Sequence, residues 1–214
     1  MSKSILIIGE SGSGKTTSLR NLPPEKTFYV DCDLKGLSWK GWRNDYNKEQ
    51  KNYIRSTDKD FIMQAMSGIS QKTPEIKYFV IDTLNAIMIA DEMRRSKEKG
   101  YDKWIDLATA IYDVIQLSNS LREDLIVICL AHAQVERDDL GNVFTRMKTS
   151  GRKLDKIVPE SFFTNVLLAK RDGDGNYIYE VKSNNSTAKT PMGMFDVETI
   201  ENDIMKVIKE MEEF

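Results

Sequence analysis

The sequence predicts an α/β domain: a mostly parallel central sheet flanked by helices, with an antiparallel strand pair near the C-terminus. Three observations predict it. Short β-branched apolar runs alternate with stretches of helical period, as strands joined by crossover helices must. The run Leu125 to Ala131 (LIVICLA) is apolar throughout, which suits a central strand covered on both faces. The last two runs flank Asp172-Gly173-Asp174-Gly175, a turn too short for anything but an antiparallel return.

Element by element, Ser4 to Ile8 (SILII), ended by Gly9, reads as the first strand. Lys15 to Asn21 reads as a helix stopped by Pro23-Pro24. Thr27 to Asp31 is a second strand; Leu34 to Ser56 is polar, holds two tryptophans and has no clean period. Asp58 to Gln71 spaces Phe61, Ile62, Ala65, Met66 and Ile69 by threes and fours, a helix. Lys77 to Asp82 is a third strand, and helices follow over Leu84 to Arg95 and Lys103 to Arg122. After the central strand comes a polar stretch, His132 to Ser150. Residues 163–170 and 177–182 are the paired strands, and Val197 to Phe214 is a closing helix. The organisation expected is one domain over residues 1–195 and an acidic C-terminal helix or tail over 196–214.

Composition narrows the class. A chain of 214 residues suits one domain with a real core. Its 40% apolar and 9% aromatic content is too rich for a disordered chain. Glycine and proline together number 17, which excludes fibrous and low-complexity sequences. Cys32 and Cys129 sit in or beside apolar runs and read as buried thiols rather than a disulfide framework. No signal peptide is evident, and no apolar run approaches the roughly 18 residues of a membrane span. A cytoplasmic protein with no membrane partner is expected.

Residues 9–16 read GESGSGKT, matching G-x-x-x-x-G-K-[ST] at Gly9, Gly14, Lys15 and Thr16, with a strand before and a helix after. Such a loop curls its backbone N–H groups around phosphate oxygens, and the helix behind it adds a positive end. Gly9, Glu10, Ser11, Gly12, Ser13, Gly14, Lys15, Thr16 and Thr17 are therefore the candidate ATP-binding residues. Lys15 reaches the β- and γ-phosphates, and Thr16 binds Mg²⁺. Asp82, ending a neighbouring strand, is the second metal-side residue. Hydrolysis also needs a base, and Asp31 and Asp33 both lie where strand ends converge on a ligand crevice. His132, the sole histidine, follows the central strand and is placed to contact the γ-phosphate.

The order P-loop, YVDCD, YFVIDTLNAI, VICLAHAQ, polar loop and GRKL resembles the RecA-type recombinase core over residues 3 to 195. More narrowly it resembles phage-encoded P-loop ATPases of that superfamily, some of which act in single-strand annealing and recombination. The resemblance implies a RecA-like P-loop core. It implies Asp33 as catalytic carboxylate, where the family usually has glutamate, and His132 as the polar sensor, typically glutamine. It also implies a mobile DNA-binding loop over 134–152, and Lys182 and Lys189 as basic residues acting on a neighbouring subunit's γ-phosphate. The implied partners are single-stranded DNA, further copies of the chain in a ring or filament, and a single-strand-binding protein.

The formal net charge of −2 looks unlike a nucleic-acid binder, but it sums opposites. Arg146 to Lys156 carries five bases (Arg146, Lys148, Arg152, Lys153, Lys156) against Asp155, while 196–214 carries seven acids and two lysines. The basic stretch, Arg146, Lys148, Arg152 and Lys153 in particular, is the candidate DNA contact. The acidic segment either packs as an amphipathic helix, competes with DNA for the basic loop or binds a partner. Trp39 and Trp42, interleaved with Lys35, Lys40 and Arg43, either stack on unpaired bases, cover the sheet edge or pack at a subunit contact. Asp172, Asp174 and Asn176 mimic a calcium loop, but Tyr177 and Ser183 stand where glycine and glutamate are required, so a hairpin turn is expected. Two other functions share the P-loop: a nucleotide-gated switch with little turnover, which a weak base at Asp33 favours, and a small-molecule kinase. Such kinases carry an arginine-rich lid, whereas the only arginine pair here, Arg94-Arg95, falls on an expected helix.

Overall fold

The computed structural model describes residues 3–100, 102–137, 141–149 and 158–214, with the side chain of Asp102 left out. Among them nine strands form one sheet: β1 (Lys3–Gly9), β2 (Thr27–Asp31), β3 (Tyr53–Arg55), β4 (Tyr78–Asp82), β5 (Ile126–Arg137), β6 (Val143–Met147), β7 (Asn165–Arg171), β8 (Tyr177–Glu180) and β9 (Thr199–Glu201). The order is β3-β2-β4-β5-β1-β7-β8-β9, with β6 attached to β5. Pairing from β3 to β7 is parallel, and β8 and β9 add antiparallel strands at one edge. This is the α/β class the sequence predicts. Among the described residues no helix is long and apolar enough to cross a membrane.

Strand alternation builds two apolar layers. Leu6, Ile8, Val30, Ile81, Val127 and Cys129 face α2 (Lys59–Lys72), α3 (Leu84–Arg94) and α4 (Asp102–Ser120), through Ile62, Met66, Ile87, Ile111 and Val114. Ile5, Ile7, Tyr29, Val80, Ile128 and Leu130 share the other layer with Leu19, Trp42, Tyr46 and α5 (Ile204–Glu213). Burial at both faces is why these strands read as unbroken apolar runs. Asp58 caps α2 by accepting from Asp60 N and Phe61 N, and α1 is one turn, Trp42–Asp45.

Several expectations need correction. The helix expected over Lys15 to Asn21 is a single 3-10 turn, Thr17–Leu19, because the pattern is only seven residues long and the proline pair follows one residue later. The loop therefore gains no helix end behind it. Asp82 does not end a neighbour of the P-loop strand: β5 lies between β1 and β4. His132 lies within β5, paired in register with Gly9, not beyond the strand. The polar stretch after it begins as a hairpin, Ala133 pairing with Met147 through to Arg137 with Val143. The segment 134–152 is thus part strand, and Arg152, Lys153 and Lys156 lie outside the described residues.

The acidic segment is built into the fold. Thr199–Glu201 joins the sheet as β9, and Ile204, Val207, Ile208 and Met211 of α5 are buried. Trp42 is buried and Trp39 half-buried against Tyr46, so neither tryptophan is a free stacking platform. The Asp172 turn is a hairpin, with Asp172 Oδ1 accepting from Asp174 N and Asn176 N. Both cysteines are buried free thiols.

Candidate nucleotide site

The C-terminal ends of β1, β2, β4 and β5 converge on one group of residues. The loop leaving β1 turns with Gly14 at φ +92°, a left-handed conformation that strains a side chain, and a Cβ there would press on the Tyr177 ring. At Gly9 a Cβ would collide with Ala169 O and the Ser13 side chain, so β1 can lie this close to β7 only as glycine. Glu10, Ser11 and Gly12 are exposed on the loop, while Ser13 is buried, its Oγ without a partner among the described residues. Thr17 Oγ1 pairs with Ser38 Oγ at 2.9 Å.

Lys15 is buried inside the loop, its Nζ donating to Gly9 O and Glu10 O, both at 2.8 Å. Burial lowers its pKa to about 8, and Lys35 adds to that, while Asp82, Asp33 and Glu10 oppose it. A desolvated ammonium resting on carbonyls is held ready for a stronger anionic partner.

Asp82 is the centre of the site. It is 2% exposed, and its Oδ2 accepts from Thr16 Oγ1 at 2.9 Å and from Tyr29 OH at 2.7 Å. Its Oδ1 is buried with no hydrogen-bond partner among the described residues. Burial raises its pKa above the usual carboxylate range, against the two hydroxyl donors. Asp82 does not cap α3; Thr83 does, accepting from Ala86 N.

The two candidate bases separate clearly. Asp31 Oδ2 accepts from Gly36 N at 2.8 Å and Tyr53 OH at 2.6 Å, with Arg55 at 3.3 Å, which ties down the turn after β2. Asp33 acts on the P-loop lysine through its charge and accepts from Thr83 Oγ1 at 2.9 Å and from Lys35 Nζ. Burial would raise the Asp33 pKa, but the Lys35 and Thr83 hydrogen bonds outweigh it and hold it below the ordinary value.

His132 is half-buried, and its pKa is lowered by burial and then by Lys15, Lys35 and Lys148, against Asp33. Both effects favour the neutral imidazole. Asn85 fixes this corner: Oδ1 accepts from His132 N and Nδ2 donates to Lys148 O, both at 2.7 Å, while Lys148 N donates to His132 O. An open groove of about 420 Å³ runs beside Asp33, Lys35, Thr83, Asn85 and His132.

The remaining candidates lie elsewhere. Lys148 is exposed beside His132, whereas Arg146 is buried near Glu136 and Glu160, at 3.5 and 3.7 Å, and is not an outward phosphate contact. Lys182 and Lys189 are exposed on the strap after β8, and Lys189 pairs through its backbone with Val166. Among the described residues no hydrogen bond or ion pair joins either lysine to its own P-loop. Sequence reasoning missed Tyr29 and Asn85. Asn85 stands on the first turn of the helix after Asp82, a readable position; Tyr29 looked like any strand aromatic.

Fold and site together define a P-loop nucleotide-binding domain. A family model described as an AAA domain matches residues 1–192, and the chain belongs to that family, a class of ATPase-type domains. No curated protein matches the sequence.

Proposed function

We propose that the protein binds and hydrolyses ATP with Mg²⁺, acting on single-stranded DNA as an oligomer in phage recombination or replication, by pairing or annealing. The nucleotide half rests on one observation: Lys15, Thr16 and Asp82 meet at a P-loop, and Asp82 keeps a buried oxygen unpartnered. Such an oxygen is costly unless something else satisfies it. A metal-bound water is a fitting partner, so the residues present suit Mg²⁺, held by the Thr16 hydroxyl and, through Oδ1, by Asp82. When bound, the ion neutralises charge on the β- and γ-phosphates. Lys15 exchanges two carbonyls for phosphate oxygens, Asp33 accepts a proton from the attacking water, and neutral His132 hydrogen-bonds near the γ-phosphate.

The DNA half is supported by coupling. Lys148 is exposed, and its backbone is bound both to His132 and to Asn85 on the helix that follows Asp82. A phosphate contact at Lys148 is then mechanically linked to the sensor. Exposed Lys182 and Lys189 support action on a neighbouring copy's nucleotide, and with it a ring or filament. A second reading has its own observation: Lys35 and Thr83 hold Asp33 as a weak base, which suits a nucleotide-gated switch with little turnover.

ATP hydrolysis by the purified full chain, with and without Mg²⁺ and single-stranded DNA, decides between them. The proposal expects Mg²⁺-dependent turnover that DNA stimulates. Binding without turnover supports the switch, and phosphoryl transfer to a nucleoside monophosphate supports a kinase instead.

A further inference from the structure

We infer that Tyr29 is a positioning residue that selects which oxygen of Asp82 serves the metal ion; this rests on reading Thr16 and Asp82 as a Mg²⁺ site. Tyr29 is fully buried in the middle of β2, where phenylalanine would fill the same space without a polar group to satisfy. Among the described residues its hydroxyl has one partner, Asp82 Oδ2 at 2.7 Å.

The reach follows from register. Tyr29 lies opposite Val80 on the adjacent parallel strand, and Asp82 is two residues further on, on the same face. Thr16 donates to the same oxygen. Two hydroxyls on Oδ2 leave Oδ1 as the buried oxygen without a partner.

A carboxylate can rotate and exchange its oxygens. Thr16 alone does not prevent this, because it sits on the loop and its own oxygen is wanted by the metal. Tyr29 does not move with the loop. Its ring is held by Tyr46 and Tyr53, at centroid distances of 5.6 and 6.3 Å. The hydroxyl is thus a fixed donor from the sheet, and it dedicates Oδ1 to the metal side. Partners of this outer-shell kind orient metal-site groups and are worth about 10–100-fold in metal affinity.

The test is a Mg²⁺ titration of fluorescent ATP-analogue binding to the full chain, wild type against Tyr29→Phe. The expected result is an unchanged affinity for the analogue without metal and a Mg²⁺ half-saturation concentration raised about 10–100-fold. A folded Tyr29→Phe protein with the wild-type Mg²⁺ response overturns the role of Tyr29 alone. Analogue binding by the wild type that ignores Mg²⁺ overturns the metal site and this inference with it. Should Tyr29→Phe fail to fold, isotope-labelled tyrosine NMR of the unaltered protein serves. Mg²⁺ added to the analogue complex must move the Tyr29 signal and leave Tyr46 in place; an unmoved Tyr29 signal overturns the inference.

Discussion

Asp31 and Asp82 lie opposite each other in register on β2 and β4, each 2% exposed and each bonded to a tyrosine hydroxyl. There the likeness ends. Asp31 has a backbone N–H and an arginine in addition, and its work is to hold the turn after β2. Asp82 has two hydroxyls on one oxygen, nothing on the other and no arginine or lysine in ion-pair contact among the described residues. An unpartnered buried oxygen is not enough by itself, since Glu160 also keeps one; Asp82 keeps its own beside Thr16 of the P-loop, and that placement marks it for a ligand.

Breaking each aspartate in turn gives the largest contrast. Asp82→Asn should lower ATP turnover on the order of 10²–10³-fold, as loss of a preorganised electrostatic group does, without lowering the thermal midpoint. Asp31→Asn should act the other way. It weakens charged hydrogen bonds to Gly36, Tyr53 and Arg55, costing about 2 kcal/mol of stability in denaturant unfolding.

A smaller effect concerns Lys15. Its folded pKa of about 8 lies below its ordinary 10.5, so between those values the unfolded chain binds more protons. Wild-type stability should therefore rise from about pH 8 toward pH 10.5, with the full penalty present below pH 8. Lys15→Met should abolish nucleotide binding, remove that rise, and stabilise the ligand-free protein by about 1–3 kcal/mol at pH 7. Denaturant melts of both proteins at neutral and alkaline pH check it. The subtlest change is Lys35→Ala, which removes one of the hydrogen bonds holding the Asp33 pKa down. The acidic limb of the pH–rate profile should move to higher pH.

What the sequence made legible follows from the range of the interactions. Lys15 and Thr16 are readable because a P-loop fixes them by local spacing, Asp82 because it ends an apolar strand, and the sheet because its strands are apolar on both faces. The P-loop turn was misjudged because a helical pattern of seven residues is marginal without tertiary support. The β5 extension was missed because its pairing with β6 spans residues that look polar and loop-like. Arg146 reads as a surface contact, and the tryptophans stay ambiguous between stacking and packing, because charge and aromaticity do not reveal burial. The division of labour between Asp31 and Asp82 depends on Tyr29, Tyr53 and Gly36, none of which carries a local signal for it.

The most direct test of the contrast is Mg²⁺-dependent ATP hydrolysis by Asp82→Asn and Asp31→Asn side by side, each measured well below its unfolding transition. The account predicts that Asp82→Asn is folded and nearly inactive, while Asp31→Asn is less stable yet retains most of its turnover. An active Asp82→Asn protein, or an Asp31→Asn protein of full stability and lost turnover, would contradict it.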